Sequence, residues 1–348
     1  MWFPYLICAL GCSSLNNRDR REDQNSDIYV VRESEMIVFH NQHRMLDNAK
    51  DIVKSSSKFT FSSSFRPASE WQHSFQVEGS QESIPILKFV KGKDYISSTY
   101  VIDNNTGHDL TISLIALQGD QNAGIRVKGN EEWSQSLEIP AANDATTQVA
   151  IEVKWSTHDN SSKELTMFSY KHDNPTPASV PGITRTMVVH QDVEITEEML
   201  KERQFTFEKL NPGEKISFWP IPKLVDETEA AMKLRKVEHK IYSTNKANAI
   251  LLSPIPYKTG LDVLWIGGKG EVKKIAEKVP IFPNQGTKIT LTEEQQSFIY
   301  DYDHKQFFLF VNNREHHMLA DYQLALTKKI PFMTTFSQAV EIHPYFNK

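Results

Sequence analysis

Gln148-Val149-Ala150-Ile151-Glu152-Val153-Lys154-Trp155 is the stretch on which the reading of this chain turns. Val149, Ile151, Val153 and Trp155 fall on one side of an extended backbone; Gln148, Ala150, Glu152 and Lys154 fall on the other. Alternation of this kind marks a strand with one buried and one wet face, as in antiparallel sheets. Working outward, residues 110–117 (LTISLIAL) make a second strand with Leu110, Ile112 and Leu114 on one face. Residues 95–102 (YISSTYVI) favour a third by their β-branched and aromatic content. Between these two lies Asp103-Asn104-Asn105-Thr106-Gly107, residue types that tolerate a tight turn. Gly119, Asp120 and Gly124 mark the next turn, and Trp133, Gln135, Leu137 and Ile139 alternate up to Pro140.

Short strands at intervals of about 8–12 residues, separated by turn signals, predict a sandwich. Asn105-Thr106-Gly107, Leu110-Thr111-Ile112, Ile139-Pro140 and residues 149–155 resemble the bacterial immunoglobulin-like domains of the PapD and abnormal-spindle type. The resemblance is confined to residues 95–155 and implies a fold and no activity.

The remainder follows the same logic. Residues 172–181 (HDNPTPASVP) are the best domain boundary. Beyond them, strands are expected at 184–195, 204–207, 249–252, 261–266, 288–291, 307–311 and 318–326, with a turn at Asn211-Pro212-Gly213. The uniformly apolar 307–311 (FFLFV) belongs at the centre of a sheet. Residues 226–241 read as a short helix, capped by Asp226 and carrying Ala230, Leu234, Val237 and Ile241, that runs into a strand. Residues 34–54 read as another helix, and 54–83 as a Ser-rich stretch in which Phe59 and Phe61 alternate. The expected architecture is mainly β: two antiparallel immunoglobulin-like β-sandwich domains with minor helix. The first spans 28–180 with an irregular N-terminal extension, the second 181–348.

The chain opens MWFPYLICALGC and turns polar at Ser13-Ser14-Leu15-Asn16-Asn17. Its apolar run is too short for the about 18 residues that cross a bilayer, and has the length of a signal-peptide core. Ala9-Leu10-Gly11-Cys12 resembles the bacterial lipobox, whose Cys is acylated with diacylglycerol before cleavage in front of it. That resemblance implies a signal peptide at 1–11, lipidation (palmitate among the acyl chains) at Cys12 and, from Ser13, sorting to the outer membrane or cell surface. Residues 12–27 then form a flexible polar tether. The stretch departs from the usual signal in two ways. No Lys or Arg precedes the apolar run, and Ala9 stands where Leu is more usual. A plain secretion signal and a buried N-terminal strand are the other readings. Both cysteines, Cys8 and Cys12, lie here, so no disulfide staples the body.

A net charge of -5 excludes a broadly basic surface, and with it nucleic acid as the main partner. Gly267-Gly268-Lys269-Gly270 is a poor phosphate loop, because Gly and Glu follow the Lys where a Ser or Thr is needed. It reads as a hairpin turn. His40, His43, His304, His316 and His317 are the histidines nearest to a zinc ligand set, yet neighbouring residues on a strand point to opposite faces. Glu293 with Glu294, and Asp301 with Asp303, read as solvated loop charge; glycosidase chemistry needs two carboxyls held across a cleft. No G-x-S-x-G or H-E-x-x-H occurs. Trp133, Trp155, Trp219 and Trp265 are candidate sugar platforms, though Trp on strands is more often core.

The expectation is a lipid-anchored envelope protein, with no catalytic residue, cofactor or metal. It meets the membrane through its lipid and an envelope protein partner as a binding or assembly factor. The rival expectations are a secreted or surface hydrolase acting on glycans or peptides, and a carbohydrate-binding module.

Overall fold

The computed structural model describes residues 27–40, 60–76, 83–90, 92–157, 164–172, 181–190, 220–237, 240–255, 259–282, 284–302, 304–312 and 337–346. The 1–11 signal, Cys12 and all of the 12–27 tether except Asp27 lie outside them. So do the strands expected at 204–207 and 318–326, the 211–213 turn, and Phe59.

The first half contains thirteen strands among the described residues: β1 (Ile28–Val30), β2 (Met36–His40), β3 (Thr60–Pro67), β4 (Gln72–Gln76), β5 (Ser83–Phe89), β6 (Tyr95–Asn105), β7 (Leu110–Gln118), β8 (Gln121–Asn122), β9 (Ile125–Val127), β10 (Ser136–Ala141), β11 (Ala145–Lys154), β12 (Glu164–Lys171) and β13 (Gly182–His190). One sheet runs β2-β11-β6-β3, with β9 also on β11. The facing sheet runs β1-β10-β7-β12-β13-β5-β4, with β8 on β7. β3, β6 and β11 sit as strands A, B and E of an immunoglobulin sandwich, and β7, β12 and β13 as C, F and G. All pairings are antiparallel except β1 with β10 and β13 with β5.

The defining alternation of β11 does what its sequence predicts. Val149, Ile151, Val153 and Trp155 are buried in the core between the sheets, with Ile96, Ile102, Ile112, Leu114 and Leu165. Glu152, expected in water, is buried as well. Arg126 on β9 folds over it, its Nε donating to Glu152 Oε2 at 2.7 Å. The 103–107 turn is organised by Asn104, whose side chain is fully buried. Its Nδ2 donates to the carbonyls of His108 (3.0 Å) and Ala141 (2.9 Å), and its Oδ1 accepts from Thr106 N (3.1 Å) and Thr106 Oγ1 (2.8 Å). Gly107, at φ 89°, takes the left-handed position that the turn requires.

The second half repeats the plan. β14 (Pro222–Val225), β17 (Ala249–Leu252) and β20 (Thr287–Thr290) form one sheet. The other runs β19-β18-β21-β22, from β18 (Thr259–Gly267), β19 (Val272–Ile281), β21 (Gln306–Asn312) and β22 (Ser337–Glu341). These occupy the A-B-E and C-F-G positions in the same chain order, with β19 where β10 stands in the first half. β15 (Leu234–Val237) and β16 (Lys240–Ser243) make a separate hairpin. Helix α1 (Glu293–Tyr300) lies between β20 and β21 and sends Ile299 into the core with Trp265, Phe308 and Phe310.

The two sandwiches meet back to back. Ile115 and Leu117 of β7 and Phe168 and Tyr170 of β12 point away from their own core. They meet Leu264 and Ile266 of β18 and Phe307, Leu309 and Val311 of β21 in one buried cluster. β7 and β21 are therefore buried on both faces, which is why LTISLIAL and FFLFV are apolar nearly throughout. The glycine turn that follows β18 docks along the rim of this seam. Tyr170 Oη donates to the Gly268 carbonyl at 2.8 Å, and Asn122 Nδ2 to that of Gly270 at 2.8 Å. Gly270 sits at φ 94°, and a side chain there would come within 2.8 Å of the Gln135 carbonyl. Burial pushes the Tyr170 hydroxyl up to about 12, so it stays a donor at any physiological pH.

Four expectations need correction. Within 34–54, Met36–His40 is a strand, because consecutive Ile37, Val38 and Phe39 suit an extended backbone that pairs with β11; residues 41–54 lie outside the described set. The 180/181 division falls inside the first sandwich, since β13 hydrogen-bonds to β12 and β5 and carries that sandwich to His190. Residues 226–241 hold no helix among those described. Asp226 caps a turn instead, accepting at Oδ1 from Thr228 N, Thr228 Oγ1 and Ala230 N, and at Oδ2 from Asn245 Nδ2. Finally, Glu293 and Glu294 open α1 rather than lying in a loop. Thr292 and Gln295 close a reciprocal capping box around them.

Two outcomes follow. Phe307→Ala empties the middle of the seam, where its ring lies 5.3 Å from Phe168 and 4.8 Å from Tyr170. Urea unfolding of the full chain should show a loss of about 3–5 kcal/mol; a loss within about 0.5 kcal/mol would mean the ring is not in the folded core. Asp226 is held down to about 2 by hydrogen bonds from Thr228 first and Asn245 second, against an ordinary 3.8. Its contribution to stability is complete above the ordinary value and is lost as pH falls through the depressed one. Acid unfolding should therefore be steeper in that window for the wild type than for Asp226→Asn, and equal slopes would refute the assignment.

Candidate functional site

The residues singled out for chemistry do not converge. His40 lies exposed on β2 and His304 exposed before β21, while His43, His316 and His317 lie outside the described residues. Among the described residues no group of three His, Cys, Asp or Glu side chains is placed to hold a metal ion. Glu293 and Glu294 are exposed on the first turn of α1, and Asp301 accepts from Ser297 Oγ at 3.0 Å; Asp303 lies outside the described set. The 267–270 glycines form the hairpin turn read from the sequence. Gly267 N donates to Glu271 O at 2.9 Å, and three of the turn's carbonyls, those of Gly268, Lys269 and Gly270, accept from the first sandwich. Trp155 and Trp265 are core residues. Trp133 is half-buried with its face covered by the Arg126 guanidinium at 4.2 Å, and Trp219 lies outside the described residues. The site of lipidation expected at Cys12 is likewise outside them.

Two features stand apart from this background. The first is β2. It ends its sheet, pairing with β11 on one side and with no other strand among the described residues. Ile37 is 58% exposed, Val38 38% and Phe39 53%. Val30, just upstream on β1, is 58% exposed as well. Edge strands in soluble proteins are ordinarily blunted by Lys, Pro or bulges, because their unpaired N–H and C=O groups template further pairing. β2 carries none of these. The run Ile37-Val38-Phe39 was legible as apolar, but a helical reading of 34–54 hid its exposure.

The second is a cleft of about 380 Å³ in the second sandwich, at the open side between the end strands β14 and β22. Leu224, Met232, Leu234, Val340 and Ile342 line it, with Tyr300. Pro181, from the first sandwich, also contributes to its wall. Its polar groups are few. Ser243 Oγ is already spent on the Asn245 carbonyl at 2.7 Å, and the Tyr300 hydroxyl accepts from Ala247 N. Lys223 is exposed. Glu341 and His343 remain, with side chains 21% and 13% exposed and Nδ1 3.8 Å from Oε1, beyond hydrogen-bond length. Burial raises the Glu341 carboxyl above the usual carboxylate range, with Lys305 pulling the other way; burial and Lys305 together lower the His343 imidazole. No sequence motif pointed to this pair: a Glu and a His two residues apart are ordinary.

No family model matches the chain, and no curated protein matches it. Solved structures give loose superpositions. The Pseudomonas aeruginosa CupB2 chaperone is 8% identical over 73% of this chain and 97% of its own, with a TM-score of 0.23. The E. coli chaperone DraB is 10% identical over 73% and 92%, with a TM-score of 0.24. The CsuC–CsuE chaperone–tip adhesion subunit pre-assembly complex of Acinetobacter baumannii is 11% identical over 73% and 94%, with a TM-score of 0.21. Superpositions this loose carry no role across. The immunoglobulin-like character of each half rests on its own strand order, and the chain is mainly β with two such sandwiches.

Proposed function

We propose that this chain is a lipid-anchored factor of the bacterial envelope that binds a protein partner through the open β2 edge, without catalysis. One observation carries the reading: a sheet edge that is apolar, unblunted and unpaired among the described residues. An extended segment of a partner laid along β2 would satisfy its outward backbone groups, and Ile37, Val38 and Phe39 would supply apolar contact. Main-chain pairing gives such a contact its affinity, and the side chains that alternate along the strand give it selectivity. The address rests on the lipobox-like Ala9-Leu10-Gly11-Cys12. Acyl chains on Cys12, each buried methylene contributing about 0.8 kcal/mol, would hold the body at the membrane surface on its polar tether.

Two experiments test the halves of this reading separately. A photo-reactive amino acid placed at Ile37 or Phe39 should yield, in intact cells, one adduct of reproducible mass that is absent when the probe sits at exposed Lys93. Adducts equal at both places, or none at β2, would remove the edge as the binding surface. A metabolic fatty-acid probe should label the wild type and leave Cys12→Ala unlabelled. An unlabelled wild type that retains a bare thiol at Cys12 would remove the anchor and leave the edge untouched.

A further inference from the structure

We propose that the cleft between β14 and β22 binds a small molecule consisting of a primary ammonium on an apolar stem, with the ammonium on Glu341. The site is separate from the β2 edge and does not depend on it.

Among the described residues, the Glu341 carboxylate has no hydrogen-bond donor; its nearest charged partner is the His343 ring, 3.8 Å away. A desolvated carboxylate is costly unless donors satisfy it. His343 is a poor counter-ion, because burial favours its neutral ring. Lys305 favours the charged form of Glu341 electrostatically, while its Nζ donates to the Lys171 carbonyl at 2.7 Å. Lys223 keeps its side chain in water. Ser243 Oγ is committed to the Asn245 carbonyl and the Tyr300 oxygen accepts from Ala247 N, so the charged acceptor that the cleft offers a ligand is Glu341. An ammonium offers three donors and the opposite charge, and charge-assisted pairs are the stronger class of hydrogen bond.

The rest of the ligand is set by the walls. Leu224, Met232, Val340 and Ile342 line the same cleft as Glu341, so the stem is alkyl or aryl. Met232 has the conformational freedom to fit stems of different shape. A volume of about 380 Å³ falls at the small end of ligand cavities, which suits a compact molecule better than a polypeptide segment.

The test titrates hexylammonium, hexanol and hexanoate into the full chain at neutral pH and follows the methyl resonances of Met232 and Ile342. Hexylammonium should shift both and bind about tenfold tighter than hexanol, a difference of about 1.4 kcal/mol. Hexanoate should bind more weakly than either. In Glu341→Gln the preference for ammonium over alcohol should vanish while the alcohol still binds. The comparison of the three isosteres on the wild type stands even if that variant fails to fold. Equal affinities for all three, no shift at either methyl, or capture of a lysine-containing peptide without capture of hexylammonium would each overturn the proposal.

Discussion

The apolar seam between β7–β12 and β18–β21 is the constraint on which the rest of the molecule depends. A sandwich needs only one face of each sheet buried. Here the two middle sheets are buried on both, so four sheets stack around three apolar layers. Ile115, Leu117 and Phe168 on one side and Leu264, Phe307 and Leu309 on the other have no role in their own sandwiches. Their burial turns two immunoglobulin-like units into one body. It also fixes where the glycine turn can go: Gly268 and Gly270 give up their carbonyls to Tyr170 and Asn122 at its margin.

With the C-F faces spent on each other, what remains open is peripheral. The β2 edge lies on the far sheet of the first sandwich, and the cleft lies on the open side of the second. Each is the kind of feature a two-sheet architecture leaves exposed: a strand edge unpaired among the described residues in one case, a gap between end strands in the other. The two differ in chemistry. One presents backbone and apolar side chains, the other a partly buried carboxylate at an apolar cleft.

Much of the fold was legible because period-two alternation survives where a strand has one wet face. Val149, Ile151 and Val153 announced β11, and FFLFV announced a strand in the interior of a sheet. The failures share a cause. In 36–40 and 226–241, apolar residues at mixed spacings satisfied a helical pattern, and strand pairing, long-range for β2 with β11 and local for β15 with β16, decided otherwise. Helix α1 was missed for want of reading Thr292-x-x-Gln295 as a capping box. The domain boundary was misplaced because a Pro-rich stretch precedes the last strand of a sandwich as readily as it follows one. The sites were less legible still. Exposure of Ile37 and desolvation of Glu341 are properties of tertiary placement, and neither residue belongs to a motif.

The doubly buried β7 has a consequence for the order in which the chain becomes itself. A polypeptide emerges from its N-terminal end, and the first sandwich is complete in sequence by His190, while its partner surface on β21 ends at Asn312. Throughout that interval of synthesis the outward Ile115, Leu117 and Phe168 face water as a greasy plate, the kind of surface that recruits holdases and sticks to its own kind. A truncated product ending between the two halves would be the aggregating species, and the intact chain silences it by supplying its own cover.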